Sequence, residues 1–255
     1  MILAWIGALL IGITLGLLGS GGSILTVPVL TYLVDQEVKV AIAGSLIIVA
    51  IISLFSAIPY AREKLVKWRT VLLFGLPGML GAVGGAWAAQ FVSDAVQMLI
   101  FAVLLLIAAY LMFMPIKIED EDQEHSERAV HQIMIDGCVV GFVTGIVGVG
   151  GGFLIIPALI LLGGLSMRLA VGTSLVIIAI KSFAGFLGYL TVLEALNLSL
   201  DWNIIFIFSA IGILGGWLGH RLSSEVSQTQ LKKGFSVFLV LMGLFILYEH
   251  LPGLI

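Results

Sequence analysis

The chain has 255 residues, of which 60% are hydrophobic and 11% charged, and its mean hydropathy is +1.20. A soluble domain carries roughly 25% charged residues, so this composition excludes an ordinary soluble domain and describes an integral, multi-pass membrane protein. The net charge of −3, without a basic tract, gives nucleic acid nothing to bind. The single cysteine, Cys138, excludes an intramolecular disulfide and any multi-cysteine metal site, and its expected role is that of a small buried apolar side chain.

The first element, residues 2–34, is an apolar run broken by Gly19-Ser20-Gly21-Gly22-Ser23 and followed by Pro28. It lacks a basic n-region and its apolar character continues past the glycines, so it reads as a membrane segment rather than a signal peptide. Plain apolar spans follow at 40–60, 69–91 and 96–115. The acidic stretch Ile116 to Val130, containing Glu119-Asp120-Glu121-Asp122, reads as a solvated connector. A second glycine-broken element occupies 133–163, with Gly148-Val149-Gly150-Gly151-Gly152 and then Pro157. Spans at 169–191, 202–220 and 232–249 complete the chain. The organisation is therefore a first membrane repeat (1–115), an acidic linker (116–131) and a second membrane repeat (132–255).

The two halves match. Residues 16–60 align without gaps on 145–189, with 16 of 45 positions identical, among them Gly16/Gly145, Gly19/Gly148, Gly21/Gly150, Gly22/Gly151, Pro28/Pro157, Ser45/Ser174, Ser53/Ser182 and Tyr60/Tyr189. Trp68, Gly78, Gly81 and Gly85 then align with Trp202, Gly212, Gly215 and Gly219.

Each glycine-broken element is too long for one straight crossing, since 33 residues at 1.5 Å each make roughly 50 Å of helix against a hydrocarbon core of about 30 Å. It either crosses once with a kink or folds back as a hairpin, and the charges discriminate. A single crossing divides the loop cations evenly: Arg62, Lys64, Lys67, Arg69, Lys117 and Arg128 on one side, Lys39, Arg168, Arg221, Lys232 and Lys233 on the other. A hairpin moves Arg168, Arg221, Lys232 and Lys233 to the first group and leaves Lys39 alone, a split of ten to one. Cytoplasmic loops are enriched in Lys and Arg, so the hairpin is expected. The second repeat is then inverted, both termini lie outside and the linker inside. Trp68 and Trp202, at matched span starts, mark the two interfaces. The fold class is an all-α integral membrane protein with two inverted-topology repeats, each a glycine-broken helical hairpin plus three transmembrane helices.

Non-helical backbone at membrane depth must be buried in protein or line a cavity, and two breaks placed alike in two halves point to a transport site. Glycine reaches positive φ at little cost and admits a ligand close to the backbone. A helix beginning just after such a turn offers free N–H groups and the positive end of its dipole, an anion site. The candidate substrate-binding residues are accordingly Gly21, Gly22 and Ser23 in the first turn and Gly150, Gly151 and Gly152 in the second. The alternative reading of the glycines is close helix packing through small residues. Lys181 falls near mid-membrane, where an ammonium is expensive and a functional role is the default. Neutralising an anion is one such role and losing its proton to couple transport to protons is another; snorkelling and a structural ion pair are the alternatives. Ser45, Thr173 and Ser174 supply uncharged hydroxyls, and Ser174, Lys181 and Ser182 share a helix face.

His220 and Arg221 end a span and are expected at the cytoplasmic headgroups, while His125 and His131 belong to the linker and His250 to the C-terminal end. No two histidines have metal-ligand spacing, so no metal and no cofactor is expected. Ser20 has no histidine base or paired carboxylate in a matching span, which argues against an enzyme. The absence of a Gly-x-x-x-x-Gly-Lys-Ser/Thr loop leaves ATP hydrolysis unsupported.

The pattern Gly-x-x-Gly-x-Gly-Gly-x-x-Leu-x-x-Pro at 16–28 and 145–157, with Ala170-Val171-Gly172-Thr173-Ser174-Leu175, resembles the sulfite exporter family of the TauE/SafE type. The resemblance covers residues 5–249, with Ser23 in the first copy where the second has Gly152. It implies movement of sulfite, sulfoacetate or another sulfur-containing organic anion across a bacterial or archaeal cytoplasmic membrane. The residues themselves point only to a small anion. The expected function is a secondary transporter exporting that anion, bound at the midplane between the two hairpins, with membrane lipid and possible copies of itself as the other partners. A passive anion channel and a non-transporting membrane scaffold are the alternatives.

Overall fold

The computed structural model describes residues 2–89, 94–113, 130–147, 152–195 and 197–250. Among these, the regular elements are all helical: α1 (Ile2–Leu18), α2 (Gly21–Pro28) continuing into a π-helical turn (Val29–Leu33), α3 (Val38–Arg62), α4 (Trp68–Ala89), α5 (Asp94–Phe113), α6 (Val130–Val147), α7 (Gly152–Leu161), α8 (Met167–Ala195), α9 (Trp202–Glu225) and α10 (Gln228–His250). A helix satisfies its backbone groups within the segment, as a hydrocarbon environment demands. Four are long and apolar enough to cross a membrane: Lys39–Arg62, Met167–Leu190, Trp202–Glu225 and Gln228–Tyr248. The expected spans lie within a few residues of the observed helices. The linker falls outside the described residues as far as 129; Val130 and His131 already belong to α6. Leu80 and Phe206 are more than three-quarters exposed, a surface suited to acyl chains rather than water.

The chain separates into two compact units. One holds residues 1–67 and 171–226; the other holds 68–170 and 227–255. In the first, α1, α3 and α9 run parallel. A Cβ on Gly12 would strike the Gly212 carbonyl and one on Gly16 the Gly216 carbonyl, while Ile52 and Ser56 of α3 abut Gly212 and Gly216. Between α1 and α3, α2 returns antiparallel: Gly22 lies against Leu15 and the Ile11 carbonyl, and Gly7 against Val29. The first glycine-broken element is therefore a helical hairpin, not one kinked crossing. Trp202 opens α9 with its ring exposed, and the Asp201 carboxylate caps that helix by accepting from the N–H groups of Asn203 (2.9 Å) and Ile204 (3.2 Å).

In the second unit α4 and α6 run parallel. Gly141 lies on the Gly78 carbonyl, Gly81 on that of Cys138 and Gly85 on that of Phe142. Helix α5 packs along α10 and also touches α6 and α7. Trp68 begins α4, exposed like its counterpart. Cys138 is exposed rather than buried. Gly137 and Gly141 occupy the face of α6 that meets α4, which turns the adjacent cysteine outward.

By the internal alignment α6 is the counterpart of α1, and α4 of α9. The two glycine seams use corresponding positions: Gly12 on Gly212 matches Gly141 on Gly78, Gly215 on Leu9 matches Gly81 on Cys138, and Gly219 on Ile13 matches Gly85 on Phe142. Each seam joins a helix of one chain half to a helix of the other.

The seams give a direct test. Gly12→Ala or Gly141→Ala puts a methyl on a neighbouring backbone and is expected to cost about 1–3 kcal/mol. Gly234→Ala, where a Cβ meets nothing within 4 Å, is expected to be neutral or to stabilise by up to about 1 kcal/mol. Thermal unfolding of the detergent-solubilised chain, followed by size exclusion, checks both.

Candidate functional site

The hairpin tip is built from the glycines. Helix α1 ends at Leu18 and Gly19 turns the chain with φ 73°, its N–H donating to the Leu15 carbonyl at 2.7 Å. An L side chain is disfavoured at that φ. Ser20 precedes α2 but its side chain makes no capping bond to it. Gly21 and Gly22 are buried in the first turn of α2, and Ser23 is the third residue of that turn. Thr26 Oγ1 donates to the Gly22 carbonyl at 2.6 Å. Pro28 has no N–H to give the carbonyl four residues back, and the helix widens to a π turn directly after it.

Ser174 of α8 reaches this tip. It is fully buried, and its Oγ lies 3.2 Å from the Gly19 carbonyl and 2.8 Å from the Val171 carbonyl, donating to one or the other. The uncapped start of α2 and the Ser174 hydroxyl thus belong to one buried locus. Thr173, next in the chain and also fully buried, has a different partner: its Oγ1 accepts from the Lys67 N–H at 3.1 Å and holds the segment leading into α4. Ser45 of α3 is buried and donates to the Ile42 carbonyl of its own helix at 2.8 Å.

Lys181 is partly buried, midway along the Met167–Leu190 span. It lies two turns beyond Ser174 on the same face, about 10 Å along the axis. The adjacent Ser182 and its repeat counterpart Ser53 are buried, and neither hydroxyl has a hydrogen-bond partner among the described residues. In the second copy of the motif, Gly152 opens α7 and is buried; Gly150 and Gly151 lie outside the described residues. Among the described residues no group of three His, Cys, Asp or Glu could hold a metal ion.

One cluster was not singled out from the sequence. His220 is buried against the protein at 8% exposed, whereas Arg221 beside it is exposed. The imidazole stands edge-on to the buried Tyr60 ring at 4.4 Å between centroids, and its Nε2 is 2.9 Å from Glu63 Oε1. The signal was present in the repeat: Tyr60 is one of the identical positions and His220 follows the matched Gly219.

Four long apolar helices, a buried helix break and a broadly apolar outer surface define a multi-pass membrane protein. The family model for the sulfite exporter TauE/SafE matches residues 4–246. A probable membrane transporter protein of Xylella fastidiosa is 31% identical over 253 residues, covering 96% of this chain and 94% of that protein. A probable membrane transporter protein of Methanocaldococcus jannaschii is 27% identical, covering 94% of each chain. The probable membrane transporter protein YunE of Bacillus subtilis is 25% identical, covering 94% of this chain and 95% of its own. No solved structure matches the chain. The chain belongs to the sulfite exporter TauE/SafE family.

Ser174→Ala removes a donor from buried carbonyls at the hairpin tip. The expected cost is about 1–2 kcal/mol, read as a lower midpoint of thermal unfolding in detergent. Ser174→Thr, which keeps a hydroxyl, is expected to recover part of it.

Proposed function

We propose that the protein is a secondary transporter that exports a small sulfur-containing anion, sulfite or an organosulfonate, across the cytoplasmic membrane. The observation that carries this reading is the buried hairpin tip: a helix begins there without a side-chain cap, and the Ser174 hydroxyl lies against the turn that precedes it. Backbone N–H groups at the positive end of a helix suit an oxyanion, and the Ser174 hydroxyl adds an uncharged donor by exchanging its carbonyl bond. The family supports the substrate class, and the relatives' names support transport.

In this reading the second repeat is inverted relative to the first, and Gly150, Gly151 and Gly152 carry the matching motif by the internal alignment. The parallel course of α1 and α3, with α2 returning between them, supports the odd number of passes on which inversion depends. The cation distribution supports it independently. The anion is bound by backbone N–H groups near Gly21–Ser23, by Ser174 and by Lys181. Ser45 gives its hydrogen to the Ile42 carbonyl and contributes shape before it contributes a bond, whereas Thr173 accepts from the Lys67 N–H and keeps its hydrogen to donate. An interior negative by 100 mV favours departure of each negative charge by about 2.3 kcal/mol, so export proceeds without ATP.

Radiolabelled sulfite uptake into proteoliposomes at an imposed potential tests the proposal. Wild-type flux is expected to saturate and to show counterflow, neither of which a passive pore gives. Lys181→Ala is expected to lose at least about tenfold in flux, equivalent to 1.4 kcal/mol, with unchanged expression. Undiminished flux in that variant would remove the lysine from the site, and a folded wild type carrying neither sulfite nor a sulfonate would leave the scaffold reading.

A further inference from the structure

We propose that the α3–α9 seam carries a proton-binding site, His220 with Glu63, and that through it movement of the anion is coupled to movement of a proton. This rests on the reading of the chain as an anion transporter and adds the coupling ion to it.

The site has an exposed end and a buried one. Glu63, just past the last turn of α3, has a side chain 52% exposed, while the His220 side chain bonded to it is 10% exposed. With Nε2 committed to the carboxylate, Nδ1 is buried and has no hydrogen-bond partner among the described residues. A proton arriving at Nδ1 therefore breaks no existing bond. The imidazolium it forms is held by the Glu63 carboxylate, and the proton leaves by the reverse step. Ionisable groups in membrane spans are costly and carry function by default, and histidine is the side chain suited to change charge between about pH 5 and 8.

From His220 a hydroxyl chain leads to the hairpin. Ser223 Oγ is 2.7 Å from the His220 carbonyl and 2.8 Å from Tyr60 Oη, and Tyr60 Oη is 2.7 Å from the Gly16 carbonyl. Two hydroxyl hydrogens serve three short contacts. Tyr60 donates either to Gly16, one turn before Gly19, or to Ser223; in the second case the Gly16 carbonyl loses that bond. A charge gained or lost at His220 biases the choice, and the choice is felt in the last turn of α1. Deeper along the same helices, Ser53 and Ser56 of α3 and Ser209 of α9 are buried with no hydrogen-bond partner among the described residues. Ser53 lies ten residues from Glu63, about 15 Å along the axis and so half of a core of about 30 Å. A structural tie between three helices accounts for the Tyr60 bonds. It does not account for the absence, among the described residues, of a hydrogen-bond partner for Nδ1 or for the buried hydroxyls of Ser53, Ser56 and Ser209.

Few charges compete at this end. Helix α3 contributes Glu63 and Tyr60 against the imidazole, with Arg62 and Lys64 exposed beside them. Helix α9 adds Arg221 and Glu225, both exposed, and α1 has no titratable side chain. Helix α8 meets Tyr60 through Gly172, with Arg168 one turn before it in the chain.

The test uses the full chain in proteoliposomes with sulfoacetate, whose charge is constant across this pH range. Flux is driven either by a potential or, at zero potential, by a pH gradient of one unit. At one proton per anion that gradient is expected to sustain about a tenfold concentration ratio in the wild type. Glu63→Gln and His220→Gln are expected to keep potential-driven flux and lose the pH-driven ratio. A wild type that carries sulfoacetate but ignores the pH gradient, or a His220→Gln protein that responds fully, overturns the proposal. If the wild type carries no anion under a potential, the transport reading is the one that fails. The site is then judged by the 15N imidazole signals of the intact protein, assigned with His220→Gln. A His220 signal that does not move from about pH 5 to 8, or that is indifferent to Glu63→Gln, overturns it.

Discussion

Backbone-to-backbone contact through glycine is the constraint on which the other features rest. Lipid chains are as apolar as leucine, so helices in a membrane gain little from hiding apolar surface and associate instead by close packing. Along α1 and α9 the glycines at 12, 16, 212, 215, 216 and 219 let each helix lie on the other's carbonyls. Helix α3 closes on the same seam through Ile52 and Ser56. With α1 held on two sides, its last turn has a defined position, and the turn at Gly19 and the start of α2 inherit it. The Gly16 carbonyl comes within reach of Tyr60 for the same reason.

In the transport reading proposed above, that rigidity is what lets a site with so little charge recognise an anion. A loop tip would have to be ordered on binding, at a cost in conformational entropy. Here the N–H groups at the start of α2 are already oriented by the hairpin, and Ser174 is already against the turn. The hydroxyls are not equivalent, however. Ser45 and Ser174 give their single hydroxyl hydrogen to backbone carbonyls in the resting fold, so donating to an anion requires an exchange of bonds, whereas Thr173 accepts from the Lys67 N–H and keeps its hydrogen. The backbone of Gly21, Gly22 and Ser23 requires none from the side chain that precedes it.

The seams also bear on motion. Each ties a helix of one chain half to a helix of the other, α1 to α9 and α6 to α4. Displacing one sequence repeat as a rigid body would break both seams at once. Each compact body is assembled from parts of both chain halves. A sequence alignment of the halves says which positions are equivalent but not which ones touch.

By itself the sequence determined the class, the helices and the hairpin. Hydropathy and charge clustering marked the spans, because backbone in lipid has few alternatives to helix. The doubled Gly-Pro pattern marked the breaks, and the ten-to-one cation split favoured a hairpin over a kinked crossing before the returning α2 was seen. The tertiary structure alone decided what each polar side chain does. Ser174 was legible as a candidate, but that it meets Gly19 while its neighbour Thr173 caps the approach to α4 depends on how α8 lies against residues more than a hundred positions away. Cys138 faces outward because two glycines claimed the inner face of α6. His220 passed for a headgroup residue because it adjoins Arg221 at a helix end. Its burial comes from Tyr60 and Glu63 on α3, some 160 residues earlier in the chain. Helix periodicity and hydropathy are local quantities, whereas the partners of a polar group inside a membrane are set by long-range packing.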